Sequence, residues 1–70
     1  MNRSLPSLNS FGAFETVARD LNYHSAAEEL RVTPAAVKQL VSRLEQLIGT
    51  PLLKLKGRGL VLTSAGESVF

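Results

Sequence analysis

The 70-residue chain contains no cysteine, which excludes a disulfide scaffold and a thiolate metal site and fits a reducing, cytoplasmic setting. It has a single histidine, His24. A lone histidine beside a helix start reads as a cap or surface residue rather than a catalyst. No apolar run is long enough to cross a bilayer, so no membrane partner is expected. The opening "MNRSLPSLNS" lacks the apolar centre of a secretory signal. Negative charge is also scarce where it would matter. From Arg31 to Arg58 the cations are Arg31, Lys38, Arg43, Lys54, Lys56 and Arg58, with Glu45 the single acid. The preceding thirty residues have the opposite balance, with Glu15, Asp20, Glu28 and Glu29 against Arg3 and Arg19. Positive charge gathered into one segment suits a polyanion partner, although a solvated basic face has the same composition.

What is present is helical periodicity followed by strand periodicity. A first helix is expected from about Leu8 to Asp20, capped by Ser7 or Asn9. Phe11, Phe14, Val17, Ala18 and Leu21 recur at three- and four-residue steps and form its apolar stripe. After the break at "LNYH", a short second helix is expected from Ser25 to about Arg31, with Ser25 and Glu28 forming a capping box. Tyr23 is expected to pack over Ala26, Ala27 and Leu30. The third helix is the best marked: Thr33 as N-cap, Pro34 in the first turn, Gly49 at the end and Pro51 beyond. Val32 and Thr33 alone separate the second and third helices, the tight join of a helix-turn-helix.

In "PLLKLKGRGLVLT" apolar residues alternate on both sides of "KGRG", which reads as a small β-hairpin with Gly57 and Gly59 supplying the turn. Thr63 then caps a last helix that two turns cannot stabilise alone, so the chain reads as a domain of a longer protein. The fold class is mainly α, a winged helix-turn-helix: a three-helix core, a small hairpin wing and the start of a linker helix. Residues 1–62 form the domain and residues 63–70 the start of the linker.

At about 100° per residue, Val37, Leu40, Val41, Leu44, Leu47 and Ile48 fall on one side of the third helix. Ala35, Lys38, Gln39, Ser42 and Gln46 fall on the other, with Arg43 at its edge and Glu45 toward the flank. Pro34, Ala35 and Ala36 keep the start of that outer face flat. Such a surface can enter a major groove, where glutamine can pair with adenine and lysine can reach guanine or a phosphate. The amides near Thr33 and Ala35 can bind a phosphate at the helix N-terminus.

Two rival classes are weaker. An enzyme needs a nucleophile with a base, or a paired acid and base, and the chain has neither in clear geometry; no cofactor or metal site is expected. A protein-interaction module is possible for the fold, but the basic segment favours nucleic acid. The scarcity of aromatic residues on the basic face argues against RNA.

Across Leu8 to Gly66 the sequence resembles the N-terminal DNA-binding domain of LysR-type bacterial transcriptional regulators. The residues that carry the resemblance are Ala26-Ala27-Glu28 before Leu30, Val32-Thr33, and Leu44-Glu45 before Gly49. They continue with Pro51-Leu52-Leu53, Gly57-Arg58-Gly59, and Leu62-Thr63 before Ala65-Gly66. The stretch "PSLNSFGAFETVARDLNY" most resembles the branch containing regulators of β-lactamase and of glycine cleavage. The resemblance implies double-stranded DNA as partner, the third helix in the major groove, and the wing on the backbone or an adjacent minor groove. It implies a dimer through the helix starting at Thr63, tetramers in the full-length protein, and a small-molecule effector bound by a separate C-terminal domain.

The expected DNA-binding residues are Ser25, Thr33, Pro34, Ala35, Lys38, Gln39, Ser42, Arg43, Lys54, Lys56 and Arg58. Some positions depart from the family's habit. His24 stands where threonine or serine is common, Ser25 where a basic residue is common, and Leu40 where glutamine is common. Lys38-Gln39 reverses a usual serine-then-basic order. Leu53 and Leu55 replace a usual phenylalanine and arginine, with Lys54 and Lys56 supplying charge nearby.

Overall fold

A computed structural model describes residues 9–70. The alternative cap Ser7 and the expected first residue Leu8 lie outside the described residues. Helix α1 spans Ser10–Asp20, and Asn9 caps it by accepting the Gly12 N–H at 2.7 Å. Leu21 ends α1 in the left-handed conformation with φ 51°.

That turn leaves Asn22 extended, and its side chain accepts the Ser25 N–H at 2.9 Å. Helix α2 therefore spans Tyr23–Leu30. It starts two residues before the expected Ser25 start, so Ser25 lies in the first turn and is not the cap. Arg31 closes α2 at φ 61°. After Val32, Thr33 caps helix α3, Pro34–Ile48, by accepting the Ala36 N–H at 3.1 Å. Pro34 fits there because a first-turn N–H has no helical partner to lose. Gly49 ends α3 at φ 90°, a conformation that suits glycine.

The wing is a two-stranded antiparallel hairpin, β1 Leu53–Lys56 and β2 Gly59–Leu62, in the register Leu53↔Leu62 to Lys56↔Gly59. Its two-residue turn is Gly57-Arg58. Gly57 has φ 63°, whereas Gly59 is not among the positive-φ residues, so only the first glycine supplies the turn's backbone conformation. Glycine in the first loop position is the pattern of a type II′ hairpin. Thr63 then caps helix α4, Ser64–Val69, by accepting the Gly66 N–H at 3.0 Å.

Helix α1 packs against both α2 and α3. The core contains Ala13, Phe14 and Val17 from α1, Ala26 and Ala27 from α2, Val37 and Val41 from α3, and Leu52 and Leu53 from the wing's approach. The small alanines of α2 let the helices meet closely. Thr16 is the buried polar residue of the core, and its hydroxyl donates to the Gly12 carbonyl at 3.0 Å. Phe70 stacks edge-on against Phe14, with ring centroids 6.4 Å apart. Arg19 of α1 pairs with Glu29 of α2, and that hydrogen bond raises the Arg19 pKa.

The apolar stripes are shorter than their periodicity suggests. Leu47, 82% exposed, and Ile48 stay outside the core, as do Phe11 and Leu21 at the ends of α1. Leu47 sits at the rim of the α1–α3 packing, in an open depression with Ser10, Arg43 and Gln46, rather than beneath it. Burial along β1 is also uneven: Leu53 is buried but Leu55 is 77% exposed, on the open wall of a cleft that the wing forms with α2 and α3.

Candidate nucleic-acid interface

The outer face of α3 is free of protein cover. Ala35, Lys38, Gln39, Ser42 and Arg43 are exposed, and Pro34 is half-buried beside them. Thr33 commits its hydroxyl to Ala36. The Ala35 amide, one position earlier, is a first-turn donor that the helix itself cannot satisfy. That end of α3 therefore carries an outward amide, flat side chains and the positive end of the helix dipole.

The structure does not gather the expected residues into one cluster; it spreads them across α3. On one flank, Lys38 and Pro34 meet Arg58 of the wing turn in a cleft of about 330 Å³. Leu21, Asn22, Tyr23 and His24 close it from the start of α2, and Leu55, Gly59 and Leu60 from the wing. On the other flank, Gln39 and Arg43 edge a smaller depression of about 250 Å³ with Val32, Ala36 and Leu40. Ser42 borders a third, with Glu45, Gln46 and the Gly49–Pro51 turn. Ser25 is exposed in the first turn of α2, with its amide already bonded to Asn22.

Lys54 and Lys56 are exposed on β1, but they do not line the cleft. Successive strand residues point to opposite faces. Leu55 faces the cleft, so the two lysines belong to the hairpin's other face. Arg58 is thus the wing cation that joins Lys38, while Lys54 and Lys56 offer charge on a separate side.

Sequence reading missed Tyr23, His24 and Leu55 as parts of this cleft. The signal for the first two was Asn22: an asparagine cap starts α2 earlier and turns both residues into its first turn. The Lys38 ammonium lies 5.3 Å from the centre of the Tyr23 ring. Burial, and then the Glu45 charge, raise the Tyr23 pKa above its ordinary value of 10.0.

Glu45 is not a stray acid on the basic surface. Its Oε2 accepts the Leu52 N–H at 2.8 Å and the Leu53 N–H at 3.3 Å. This ties α3 to the first strand of the wing. Among the described residues no group of His, Asp and Glu side chains could hold a metal ion. Among the same residues, no helix is long and apolar enough to cross a membrane.

Three helices, a capped helix-turn-helix, a basic hairpin and an open α3 face define a winged helix-turn-helix. The family model described as "Bacterial regulatory helix-turn-helix protein, lysR family" matches residues 8–67. The chain belongs to that family. The glycine cleavage system transcriptional activator of Escherichia coli (strain K12) is 43% identical over 70 residues, covering 100% of this chain and 23% of that protein. The HTH-type transcriptional activator AmpR of Pseudomonas aeruginosa is 50% identical over 62 residues, covering 89% of this chain and 21% of that protein.

The chain thus spans less than a quarter of the length of these relatives. They are named as transcriptional activators, in line with a non-enzymatic role. A LysR-family transcriptional regulator from Eggerthella lenta DSM 2243 has the same fold, with TM-score 0.82, 42% identity and 86% of each chain covered. Full-length CbnR, solved in complex with its target DNA, matches with TM-score 0.79 and 31% identity over 89% of this chain and 22% of that one.

Proposed function

We propose that the chain is the sequence-specific, double-stranded DNA-binding part of a bacterial transcription regulator. The observation that carries this reading is the exposed outer face of α3, flat at its capped start and flanked by the cleft where Lys38 and Arg58 converge. In this reading α3 enters the major groove, which is about 12 Å wide and admits one helix. Gln39 and Ser42 reach base edges, and Lys38 reaches guanine acceptors or a phosphate. Thr33, Pro34 and Ala35 bring the helix start against the backbone, with the Ala35 amide on a phosphate. Arg43 extends the contact along the α3 flank, and Ser25 meets the backbone from α2. Arg58 sits on the backbone or in an adjacent minor groove, and Lys54 and Lys56 meet phosphates.

Residues up to Leu62 serve as the binding domain, and the helix that starts after Thr63 leads to a dimer contact in a longer, tetrameric protein. A small-molecule effector acts through a separate domain of that protein. Support comes from family membership and from the likeness to CbnR, which was solved on DNA. The test is binding of the chain to mixed-sequence duplex at two salt concentrations. Affinity that falls steeply with salt supports the reading. Equal affinity at both concentrations, or no binding, refutes it.

A further inference from the structure

We propose that Tyr23 is a positioning residue for Lys38: its ring holds the ammonium at the cleft between α3 and the wing, so that this cation meets the duplex from a fixed place. The inference rests on the duplex-binding reading above and assigns a role that the DNA-facing surface of α3 alone does not reveal. Lys38 belongs to the outer face of α3, and its neighbour Gln39 edges the opposite flank. A lysine stem is flexible and its charge is a compact, strongly hydrated point. Left to itself, the ammonium would sample a wide arc over the groove. The Tyr23 ring lies 5.3 Å from it, within cation–π range.

The ring is itself held in place. Tyr23 is the first residue of α2, locked by the Asn22 cap, half-buried and packed on the hydrophobic core. Cation–π holding differs from a salt bridge in one respect that matters here. An acid partner would neutralise the charge and repel a phosphate, whereas a ring face leaves the full positive charge available. Among the described residues the ion pairs join Arg19 to Asp20 and to Glu29, and Lys38 is in neither. Arg58 and the apolar Pro34 and Leu55 line the same cleft. Lys38 of α3 and Arg58 of the wing thus line one cleft, and a nucleic-acid backbone lying in it meets a cation from each element.

The test is a double-mutant cycle on a duplex that the parent chain selects from a random pool. Tyr23→Leu keeps apolar bulk and removes the ring. Its expected effect is an affinity loss of about two- to five-fold. In a Lys38→Ala background the same change is expected to have no effect, and Tyr23→Phe is expected to bind as the parent does. An equal loss with and without Lys38 would assign Tyr23 to packing alone. A gain in affinity for Tyr23→Leu would show that the ring holds Lys38 away from DNA. Either result overturns the proposal, as does a loss in Tyr23→Phe. A second reading needs neither DNA nor a variant that folds. In the free parent chain, the Lys38 ε-methylene protons are expected upfield of those of exposed Lys54, shifted by the ring current of Tyr23. No such difference would overturn the positioning role even if duplex binding is intact. A parent that fails to bind duplex while showing the shift refutes the binding reading alone.

Discussion

The Glu45 carboxylate accepts the Leu52 backbone N–H at 2.8 Å, which bolts the last turns of α3 to the entrance of the wing. The single acid between Arg31 and Arg58 is therefore spent on two part-buried amides, those of Leu52 and Leu53. Glu45→Ala strands those donors and is expected to cost about 1.5–3 kcal/mol, the range for a charged hydrogen bond. Glu45→Gln keeps an acceptor and is expected to lose less. Urea denaturation of the three proteins checks the order. Equal stability for all three would mean that the carboxylate does not hold the wing.

Leu52 is also the point where α4 approaches. Its carbonyl accepts the Thr63 N–H at 3.0 Å, and a Cβ placed on Gly66 would overlap that same carbonyl oxygen. Alanine ordinarily favours a helix over glycine by about 1 kcal/mol. At Gly66 the overlap reverses the sign, and Gly66→Ala is expected to destabilise by about 1–3 kcal/mol. Ser68→Ala, exposed in the same helix, serves as the control and is expected to change stability by less than about 0.5 kcal/mol. Thermal melts that show Gly66→Ala at or above the parent would remove the close approach from the account.

Two leucines that look alike in sequence separate in the fold. Leu52 is fully buried, whereas Leu47 is 82% exposed. Leu52→Ala is expected to cost about 2–5 kcal/mol, enough to unfold much of a domain this small. Leu47→Ala is expected to stay within about 0.5 kcal/mol. Leu44, half-buried beside the core, falls between them. Chemical denaturation of the set checks this ranking.

The helix caps explain most of what was legible beforehand. Thr33-Pro34 and Gly49 carry local chemistry that no tertiary contact overrides, so α3 lies where its signals put it. The hairpin was equally plain from the period-two runs around Gly57-Arg58. The start of α2 was misread because Ser25 with Glu28 imitates a capping box, while Asn22 is a competent cap that comes first. The ends of the apolar stripes were misread because periodicity reports which side of a helix is apolar, not how much of that side a neighbour covers. Leu47 and Leu55 both lie on the open walls of surface depressions. The cleft was hidden because it joins Tyr23, Lys38 and Arg58 from three separate elements. The role of Glu45 was hidden because its partners are backbone amides, which leave no side-chain signature.

The separation of the wing cations also has a consequence. Lys54 lies on the hairpin face away from the cleft, so the proposed function gives it only a general attraction to phosphate. Lys54→Ala is expected to weaken binding to every duplex by the same factor and to reduce the slope of log affinity against log salt by about 0.9. Titrations at several salt concentrations measure it. An unchanged slope would mean that Lys54 meets no phosphate.

The most direct measurement of the central claim is the binding profile of Gln39→Ala across all single-base variants of a duplex selected by the parent chain. Gln39 is exposed on the α3 flank beside Arg43, carries no charge, and can bond adenine through two hydrogen bonds in the major groove. If α3 reads bases, the variant loses about 1–3 kcal/mol of discrimination at one base pair and matches the parent's preferences at every other position. Its binding to mixed-sequence duplex stays close to the parent's, because no phosphate contact is removed. A profile that runs parallel to the parent's at all positions would contradict base readout by this face of α3.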